Sequence, residues 1–403
     1  MENDYQGKNM KHSYYVDFVN KSDGVFRLKP NFVARRTGVP GKRLRLHPDD
    51  YYSYGLDRGP INERWMASTL VANNGPKTPK NEGLSYVVDG NGNEILFSDL
   101  ISSLQSDIIG EELYEKYKSW PVFAKLFDND IPLYFHVHLD DKHAGKVGKS
   151  GKPEGYFFPV QYNTYEGKFP YSFYGLNSDS SIKEIKTKLE QFKFSDNRIL
   201  DLSKAYKLKT ETGWYTPAGV LHSPGTMCTY ELQWASDVSA VFENITGTHV
   251  NGYDRLFEDI PRDKKDNLDS VLDVIDWDSN INRNYKKDNF RKPVILDEDE
   301  NHLLKAIMYN NKYFSAKQLI IFPQKEIEFK ERSAYGLLSV QGYGYINNHK
   351  IETPTILRFG ELSNDEYFVA YSKAIEGVKI KNESETEPLV LLLHFANDNL
   401  IKI

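Results

Sequence analysis

The sequence predicts a protein built mainly of β-strands. Aromatic residues make up 13% of its 403 positions, with 27 Tyr and 22 Phe, and these residue types favour pleated, half-buried surfaces. After residue 301 the chain consists of short alternating apolar runs such as IIFPQKEIEF, GLLSVQGYGYI and PLVLLLHF. Runs of this length, separated by turn residues, are typical of an all-β sandwich or barrel.

The length of the chain exceeds what one hydrophobic core usually fills, so we expect at least two domains. We place the boundary near residue 295, which gives a first domain over 1–295 and a second, β-patterned domain over 296–403. Apolar spacing near 3.6 residues predicts helical insertions in the first domain at about 96–120 and 180–208. Residues 1–30 are polar apart from one short apolar patch, which predicts a lead-in strand or arm.

Composition excludes several classes of function. A formal net charge of −6 gives no excess of positive charge that would favour nucleic acid as a partner. Because no run of eighteen apolar residues occurs and the first residues lack an apolar stretch, we expect neither a membrane span nor a signal peptide. The one cysteine, Cys228, can form no internal disulfide, which fits a reducing cytoplasm. Whether the chain forms a homo-oligomer stays open.

The segment from residue 31 to residue 50 carries the densest positive charge in the chain. Its cations are Arg35, Arg36, Lys42, Arg43 and Arg45. They are interpreted either as a solvated edge strand, on which charges prevent aggregation, or as a strand that faces an anion.

Three histidines and one glutamate form a candidate metal site. His136 and His138 lie two residues apart, so in a strand both imidazoles point to the same face. Glu154 follows sixteen residues after His138, and a Pro-x-Gly turn precedes His222. Imidazole and carboxylate ligands suit Zn²⁺, Fe²⁺, Mn²⁺, Co²⁺ or Ni²⁺, of which zinc is our first choice.

These motifs resemble those of the metal-binding cupins and, among them, the type I phosphomannose isomerases. The resemblance covers roughly residues 60–250. The matching positions are Glu63, Trp65 and Ser68 in NERWMAST, then Lys152, Pro153 and Glu154, then Pro217, Ala218, Gly219 and His222, and then Glu231, Ser236 and Asp237.

The resemblance implies two cupin (jelly-roll) β-barrels with an α-helical insertion. The first domain would hold the metal, and the second would be cupin-like without a metal motif. The implied activity is a metal-dependent, mannose-6-phosphate isomerase-like conversion of an aldose to a ketose through an enediol. The implied partner is a small-molecule sugar or sugar phosphate.

Three positions depart from the pattern of this family. His136 stands where the family has a glutamine ligand, and Tyr134 stands where it has a serine associated with the sugar's phosphate. The family's catalytic arginine would fall at Val241, so we expect Arg255 to supply a guanidinium from a neighbouring strand. These departures favour either an unphosphorylated sugar or an anion bound by the basic N-terminal segment.

Further roles follow from the same motifs. Lys152 is a candidate donor to the developing oxyanion, and the alternative is a surface lysine beside a turn. Glu231 is the candidate general base, and the alternative is a structural glutamate on a buried strand. Trp65 and Tyr134 are candidate substrate-contacting aromatics. Two other classes of function stay open: a sugar-binding or regulatory protein without turnover, and an iron-dependent cupin oxygenase.

Overall fold

The computed structural model describes residues 2–36, 38–165, 167–247 and 249–403. In that part of the chain the α-helices, numbered in chain order, are α1 (Glu2–Lys21), α2 (Phe97–Leu104), α3 (Ser106–Ile109), α4 (Glu111–Tyr117), α5 (Asp141–Ala144), α6 (Ile182–Glu190), α7 (Leu268–Leu272), α8 (Trp277–Asn280), α9 (Tyr285–Asn289) and α10 (Tyr371–Glu376).

The strands fall into two groups along the chain. Those before residue 260 are β1 (Val25–Leu28), β2 (Asn31–Ala34), β3 (Ile61–Met66), β4 (Tyr86–Val88), β5 (Glu94–Leu96), β6 (Val122–Phe127), β7 (His136–Val137), β8 (Glu154–Phe157), β9 (Tyr171–Leu176), β10 (Ser203–Lys207), β11 (Gly213–Thr216), β12 (His222–Ser223), β13 (Thr229–Trp234), β14 (Ala240–Val241), β15 (Ile245–Thr246) and β16 (His249–Val250). Those after it are β17 (Phe290–Arg291), β18 (Val294–Glu298), β19 (His302–Met308), β20 (Ser315–Ile321), β21 (Glu326–Phe329), β22 (Tyr335–Gln341), β23 (Tyr343–Ile346), β24 (His349–Glu352), β25 (Glu366–Val369), β26 (Val378–Asn382) and β27 (Leu389–Phe395).

An N-terminal barrel is formed by two antiparallel sheets. A seven-stranded sheet has the order β17-β11-β8-β13-β6-β3-β2, and a five-stranded sheet has the order β10-β9-β12-β7-β14. The central strands β6, β13 and β8 are buried along their whole length. A strand that is buried on both faces carries a nearly continuous apolar run, so a charge within it stands out. Here Lys125 and Glu231 are such charges, and they lie directly opposite each other across β6 and β13.

A C-terminal barrel is formed by a nine-stranded and a four-stranded sheet. The nine-stranded sheet has the order β18-β19-β20-β27-β22-β25-β1-β4-β5, and the four-stranded sheet has the order β21-β26-β23-β24. Three strands of the larger sheet therefore come from the first hundred residues. Strand β1 joins it by antiparallel pairing with β25, with Phe26 opposite Phe368.

The two barrels pack back to back through one hydrophobic core. Leu126 and Leu232 on the seven-stranded sheet belong to the same buried cluster as Leu338 and Leu392 on the nine-stranded sheet. Because burial of a leucine side chain contributes about 1.5–3 kcal/mol, this shared core fixes the barrels as one structure.

The prediction of a mainly β fold with cupin-like barrels is confirmed. Three short helices, α2 to α4, occupy 97–117, close to the predicted helical insertion over 96–120. In 180–208 the helix is shorter than predicted, because α6 ends at Glu190 and the segment closes with the edge strand β10. The domain boundary near residue 295 stays a prediction, and pairing across it joins β1, β4 and β5 to the second barrel.

The lead-in strand predicted within residues 1–30 is present only as β1, because helix α1 occupies Glu2–Lys21 before it. Tyr15 and Phe18 lie one turn apart on this helix and are both buried in the core. Packing of these two rings, rather than a continuous apolar face, holds the helix in place. None of the described helices is both long and apolar enough to cross a membrane.

A buried ion cluster links the barrels. Arg64 on β3 donates hydrogen bonds of 2.8 Å to each carboxylate oxygen of Asp365 and one of 3.0 Å to Glu366. All three side chains are almost fully buried. Burial raises the pKa of Glu366 to about 8, with Arg64 opposing the shift. Glu366 therefore keeps its proton at neutral pH, and Asp365 compensates the charge of Arg64.

This cluster makes stability depend on pH. The folded protein keeps the Glu366 proton up to about pH 8, whereas the unfolded chain releases it near 4.5, the ordinary pKa of the group. Unfolding therefore releases a proton between these values, and the free energy of unfolding falls by up to about 1.4 kcal/mol per pH unit as pH rises. In Glu366→Gln this contribution is absent, so the variant should gain stability relative to the wild type from pH 5 to pH 7.5. Melting temperatures over this range check the prediction, with the exposed Glu385→Gln as control. A constant difference between variant and wild type would contradict it.

Candidate active site

Three imidazoles converge inside the N-terminal barrel. His136 on β7 and His222 on β12 are paired directly across the five-stranded sheet, and His138 follows β7 on the same face. The ligand atoms that the three histidines offer all lie within 4.8 Å of one another. The Nε2 atoms of His136 and His138 are 3.2 Å apart. The structure thus brings together the three histidines that the two-residue spacing and the turn before His222 had singled out.

Backbone carbonyls fix the orientation of all three rings. Each Nδ1 lies 2.7–2.9 Å from a carbonyl oxygen, which belongs to Tyr134 for His136, to Val238 for His138 and to Val220 for His222. Because a carbonyl only accepts, each Nδ1 carries the proton and donates it. The lone pair of each Nε2 is consequently aimed at the centre of the cluster, which is the arrangement of metal-binding histidines.

Glu154 reaches the same point from the opposite sheet. It lies on β8, with Oε1 2.9 Å from His138 Nε2 and Oε2 3.4 Å from His222 Nε2. The three histidines and Glu154 are named here the four-residue centre. Lys152 Nζ lies 2.9 Å from Oε1, and the Tyr156 hydroxyl donates to Oε2.

The four-residue centre fits a divalent metal ion. Its nitrogen lone pairs face carboxylate oxygens at contact distance, which is unfavourable unless a cation lies between them. His222 Nε2 is fully buried and has no hydrogen-bond partner. Burial lowers the pKa of His138 to about 4 and that of His136 well below its ordinary value, so both rings are neutral, the form that binds a metal. Three nitrogens and one oxygen are a ligand set suited to zinc and its transition-metal neighbours.

A cavity of about 490 Å³ opens above the four-residue centre. Its wall includes all but one of the predicted site residues outside the centre. These predicted residues are Tyr134, Lys152, Glu231 and Arg255. The wall also includes Glu63, Lys125, Tyr156, Asp237 and residues from the N-terminal basic segment and the loop over 73–75.

Lys125 is a site residue that the motifs did not bring out. Its Nζ lies 3.2 Å from Glu231 Oε1 and 3.9 Å from Glu63 Oε1. Burial and the neighbouring carboxylate of Glu154 raise the pKa of Glu231 well above its ordinary value. In the sequence, Lys125 could have been recognised as the single charge in the otherwise apolar strand VFAKLF. It lies at the position opposite Glu231.

The basic N-terminal segment divides between two roles. Arg35 and Arg36 line the cavity, and Arg35 forms a bidentate ion pair of 3.1 and 3.2 Å with Glu63. Arg43 instead binds the buried carboxylate of Asp128, and Arg45 donates to backbone carbonyls outside the cavity.

Arg255 reaches the cavity, but from a 3₁₀ helix over Tyr253–Phe257 and not from the neighbouring strand that we expected. Its guanidinium donates a 2.7 Å hydrogen bond to the hydroxyl of Tyr134. Val241, where the resemblance would place an arginine, is fully buried and pairs with His136 across β14 and β7. The turn after β16 thus brings in a guanidinium that strand spacing could not predict.

Trp65 lies outside the cavity wall. It is buried against Phe123, and its indole Nε1 donates a 2.7 Å hydrogen bond to Glu63. The Arg35 guanidinium covers its ring at 5.6 Å from the centroid. Trp65 therefore supports Glu63 and Arg35 and does not face the cavity.

Comparison with known proteins yields structural similarity alone. No model of a known protein family matches the sequence, and no curated protein sequence matches it either. Among solved structures, the mannose 6-phosphate isomerase of Bacillus subtilis superposes with a TM-score of 0.62 at 17% identity, covering 92% of this chain and 99% of that one. The chain has the fold of these isomerases.

Two further structures agree. A zinc-bound mannose 6-phosphate isomerase gives a TM-score of 0.63 at 12% identity, over 94% of this chain and 100% of that one. A variant of the phosphomannose isomerase from Salmonella typhimurium gives 0.63 at 11% identity, over 93% of this chain and 100% of that one. The resemblance seen in the sequence is thus confirmed at the level of the fold.

The four-residue centre predicts a change in metal content. His138→Ala should lower zinc affinity at least about tenfold, since even loss of an outer-shell partner costs about 10–100-fold. The measurement is zinc per chain after equilibrium dialysis, read by mass spectrometry. The control is His302→Ala, because His302 does not line the cavity and pairs with Asp297 and Asp299. Equal zinc content in both variants would contradict the assignment.

Proposed function

We propose that this protein is a metal-dependent aldose–ketose isomerase that acts on a sugar or sugar phosphate, like the mannose 6-phosphate isomerases whose fold it shares. One observation carries the proposal. His136, His138 and Glu154 of the four-residue centre line a cavity whose wall also carries the ammonium group of Lys152 and the carboxyl group of Glu231. A volume of about 490 Å³ suits a small molecule such as a hexose or its phosphate.

The reaction moves a proton between C1 and C2 of the sugar while negative charge develops on the carbonyl oxygen. A zinc ion or related divalent metal held by His136, His138, Glu154 and His222 would supply Lewis acidity and orientation for the sugar oxygens. The protein must further supply a donor for the developing enediolate and a group that carries the proton.

Lys152 is the proposed donor. Burial opposes its charge, but the carboxylates of Glu154 and Asp237 raise the pKa of Lys152, so the side chain stays an ammonium group. The ion pair with Glu154 holds Nζ at the edge of the four-residue centre, with donor capacity left for a substrate oxygen.

Glu231 is the proposed proton carrier. Its carboxyl group lies on the cavity wall with Oε1 3.2 Å from the Lys125 ammonium, and no hydrogen bond saturates that oxygen. Lys125 lies closer to Glu231 than to Glu63, and its ammonium group orients the carboxyl group of Glu231. In its ionised form, a carboxylate positioned in this way can take a proton from one sugar carbon and, once protonated, return it to the next.

A sugar-binding protein without turnover is the second candidate, and Val241 favours it. At that position, opposite His136, the resemblance implies a catalytic arginine, and this chain presents an apolar side chain. Whether Arg255 compensates for that loss decides between the two candidates. In either case we propose a cytoplasmic location, which the single, buried thiol of Cys228 supports.

Turnover tests the proposal directly. Metal-loaded protein is incubated with mannose 6-phosphate, glucose 6-phosphate, mannose and glucose, and ketose formation is followed. We expect turnover of at least one sugar, and a fall of at least about 100-fold in kcat for Lys152→Met and for Glu231→Gln, because each removes a group that handles charge or a proton.

The matched control is Lys146→Met, since Lys146 pairs with Asp273 outside the cavity and should leave kcat unchanged. Saturable sugar binding without turnover of any of the four sugars would contradict the isomerase and support the sugar-binding protein.

A further inference from the structure

A second cavity, of about 620 Å³, lies at one edge of the C-terminal barrel. The four-stranded sheet ends at β24, whereas the nine-stranded sheet continues beyond β25 to β1, β4 and β5. The cavity lies between helix α1, strands β1 and β4 and the start of β24. None of the described residues that line it also lines the cavity above the four-residue centre.

Arg27 places a charge on the inner face of strand β1. Val25, two residues earlier, belongs to the buried core of the C-terminal barrel, and alternate residues of a strand point to the same face. Arg27 thus faces the cavity beside an apolar neighbour, and it stands opposite Tyr367 of β25 and Val88 of β4. A half-buried charge in such a position is unfavourable unless a polar or charged partner compensates it.

The protein compensates Arg27 only in part. Its guanidinium donates one hydrogen bond of 3.1 Å, to the side-chain oxygen of Asn364, which is a neutral acceptor. Within the described ranges no carboxylate forms an ion pair with it, whereas the buried Arg58 and Arg64 are each paired with carboxylates. Since a guanidinium offers five N–H donors, Arg27 keeps its charge and most of its donors for a further partner.

The other charges of the cavity wall are already engaged. Asp17 pairs with Lys21 at 2.6 Å, and Lys350 pairs with Glu352. These side chains are exposed, so solvent screens them. Each carboxylate oxygen of Asp89 accepts two hydrogen bonds, from its own turn and from helix α1. Arg27 thus stands out on the described wall as a cation without a carboxylate partner.

Hydrogen bonds fix the wall around Arg27. The Tyr14 hydroxyl on α1 donates to Asp89, in the turn after β4, at 3.1 Å. At the other end of the helix, His349 Nε2 lies 2.9 Å from the carbonyl oxygen of Ser22, so that nitrogen donates. Helix α1 is thereby tied to both sheets of the barrel. A preformed cavity of this kind costs little free energy of ordering when a ligand binds.

We propose that this cavity binds a small molecule through an oxyanion group, a phosphate or a carboxylate, which Arg27 holds. The planar fork of a guanidinium matches two oxygens of either group at once. A volume of about 620 Å³ suits a ligand of metabolite size. The site lies outside the four-residue centre and its cavity, so the inference goes beyond the proposed function and does not depend on it.

Calorimetric titration of the metal-loaded protein tests the proposal. The probes are inorganic phosphate and malonate, which carry the two oxyanion groups, and glycerol as a neutral control. The proteins are the wild type, Arg27→Gln, Arg27→Lys and Arg262→Gln. Arg262 is the matched control, because it is exposed on the 3₁₀ helix over Arg262–Lys264 and lines neither cavity.

We expect the wild type to bind at least one of the two oxyanions at the Arg27 site, with an affinity that falls as salt is added, and not to bind glycerol there. Arg27→Gln should weaken this binding at least about tenfold, because it removes the charge and the fork. Arg27→Lys should fall between, since it keeps the charge alone. Arg262→Gln should bind like the wild type. Tighter binding of phosphate would assign a phosphate-bearing ligand, and tighter binding of malonate a carboxylate.

Amide hydrogen exchange locates the site and checks that the variants fold. The bound oxyanion should slow exchange in residues 14–22 and 86–93 of the wild type but not of Arg27→Gln, whose exchange elsewhere should match the wild type. Equal oxyanion affinities in the wild type and Arg27→Gln would overturn the proposal, as would a wild type that binds neither oxyanion. Slowed exchange confined to the cavity above the four-residue centre would also overturn it.

Discussion

Three buried imidazoles and a carboxylate point at one another inside the N-terminal barrel, and the rest of the structure depends on that convergence. Their facing atoms are 2.9–3.4 Å apart, a separation that is favourable only with a cation between them. The rings cannot turn away, because each Nδ1 is tied to a backbone carbonyl. The geometry of the site is therefore a property of strand register, set by the pairing of β7 with β12 in one sheet and by the position of β8 in the other.

Strand β3 connects this site to the second barrel. Side chains alternate along a strand, so Glu63 lines the cavity with Trp65 supporting it from the same face, while Arg64 points the other way, into the ion cluster of Asp365 and Glu366. One strand thus carries an ion pair with Arg35 on its inner face and the link between barrels on its outer face. The C-terminal barrel contributes by holding the wall of the first barrel in place through this ion cluster.

The fold class and the four-residue centre were predictable from the sequence, because they rest on local patterns: alternation along strands, two-residue spacing and a Pro-x-Gly turn. Features that depend on tertiary packing were not. Helix α1 has a polar sequence and is held by Tyr15 and Phe18 against a core built from distant segments. Lys125 becomes a site residue through its cross-strand partner Glu231, and Arg255, which the sequence analysis placed on a strand, reaches the cavity from a 3₁₀ helix. None of these positions follows from spacing along the chain.

X-ray absorption at the zinc edge of the metal-loaded protein tests the central claim most directly, because it reports the ligands of the ion without reference to activity. We predict a four-coordinate or five-coordinate ion with three imidazole nitrogens at about 2.0–2.1 Å and a carboxylate oxygen at about 2.0–2.2 Å. The outer-shell scattering of three imidazoles should disappear in part when His222 is replaced by alanine. A spectrum with one imidazole or none in the wild-type protein would contradict the assignment of the four-residue centre as the metal site.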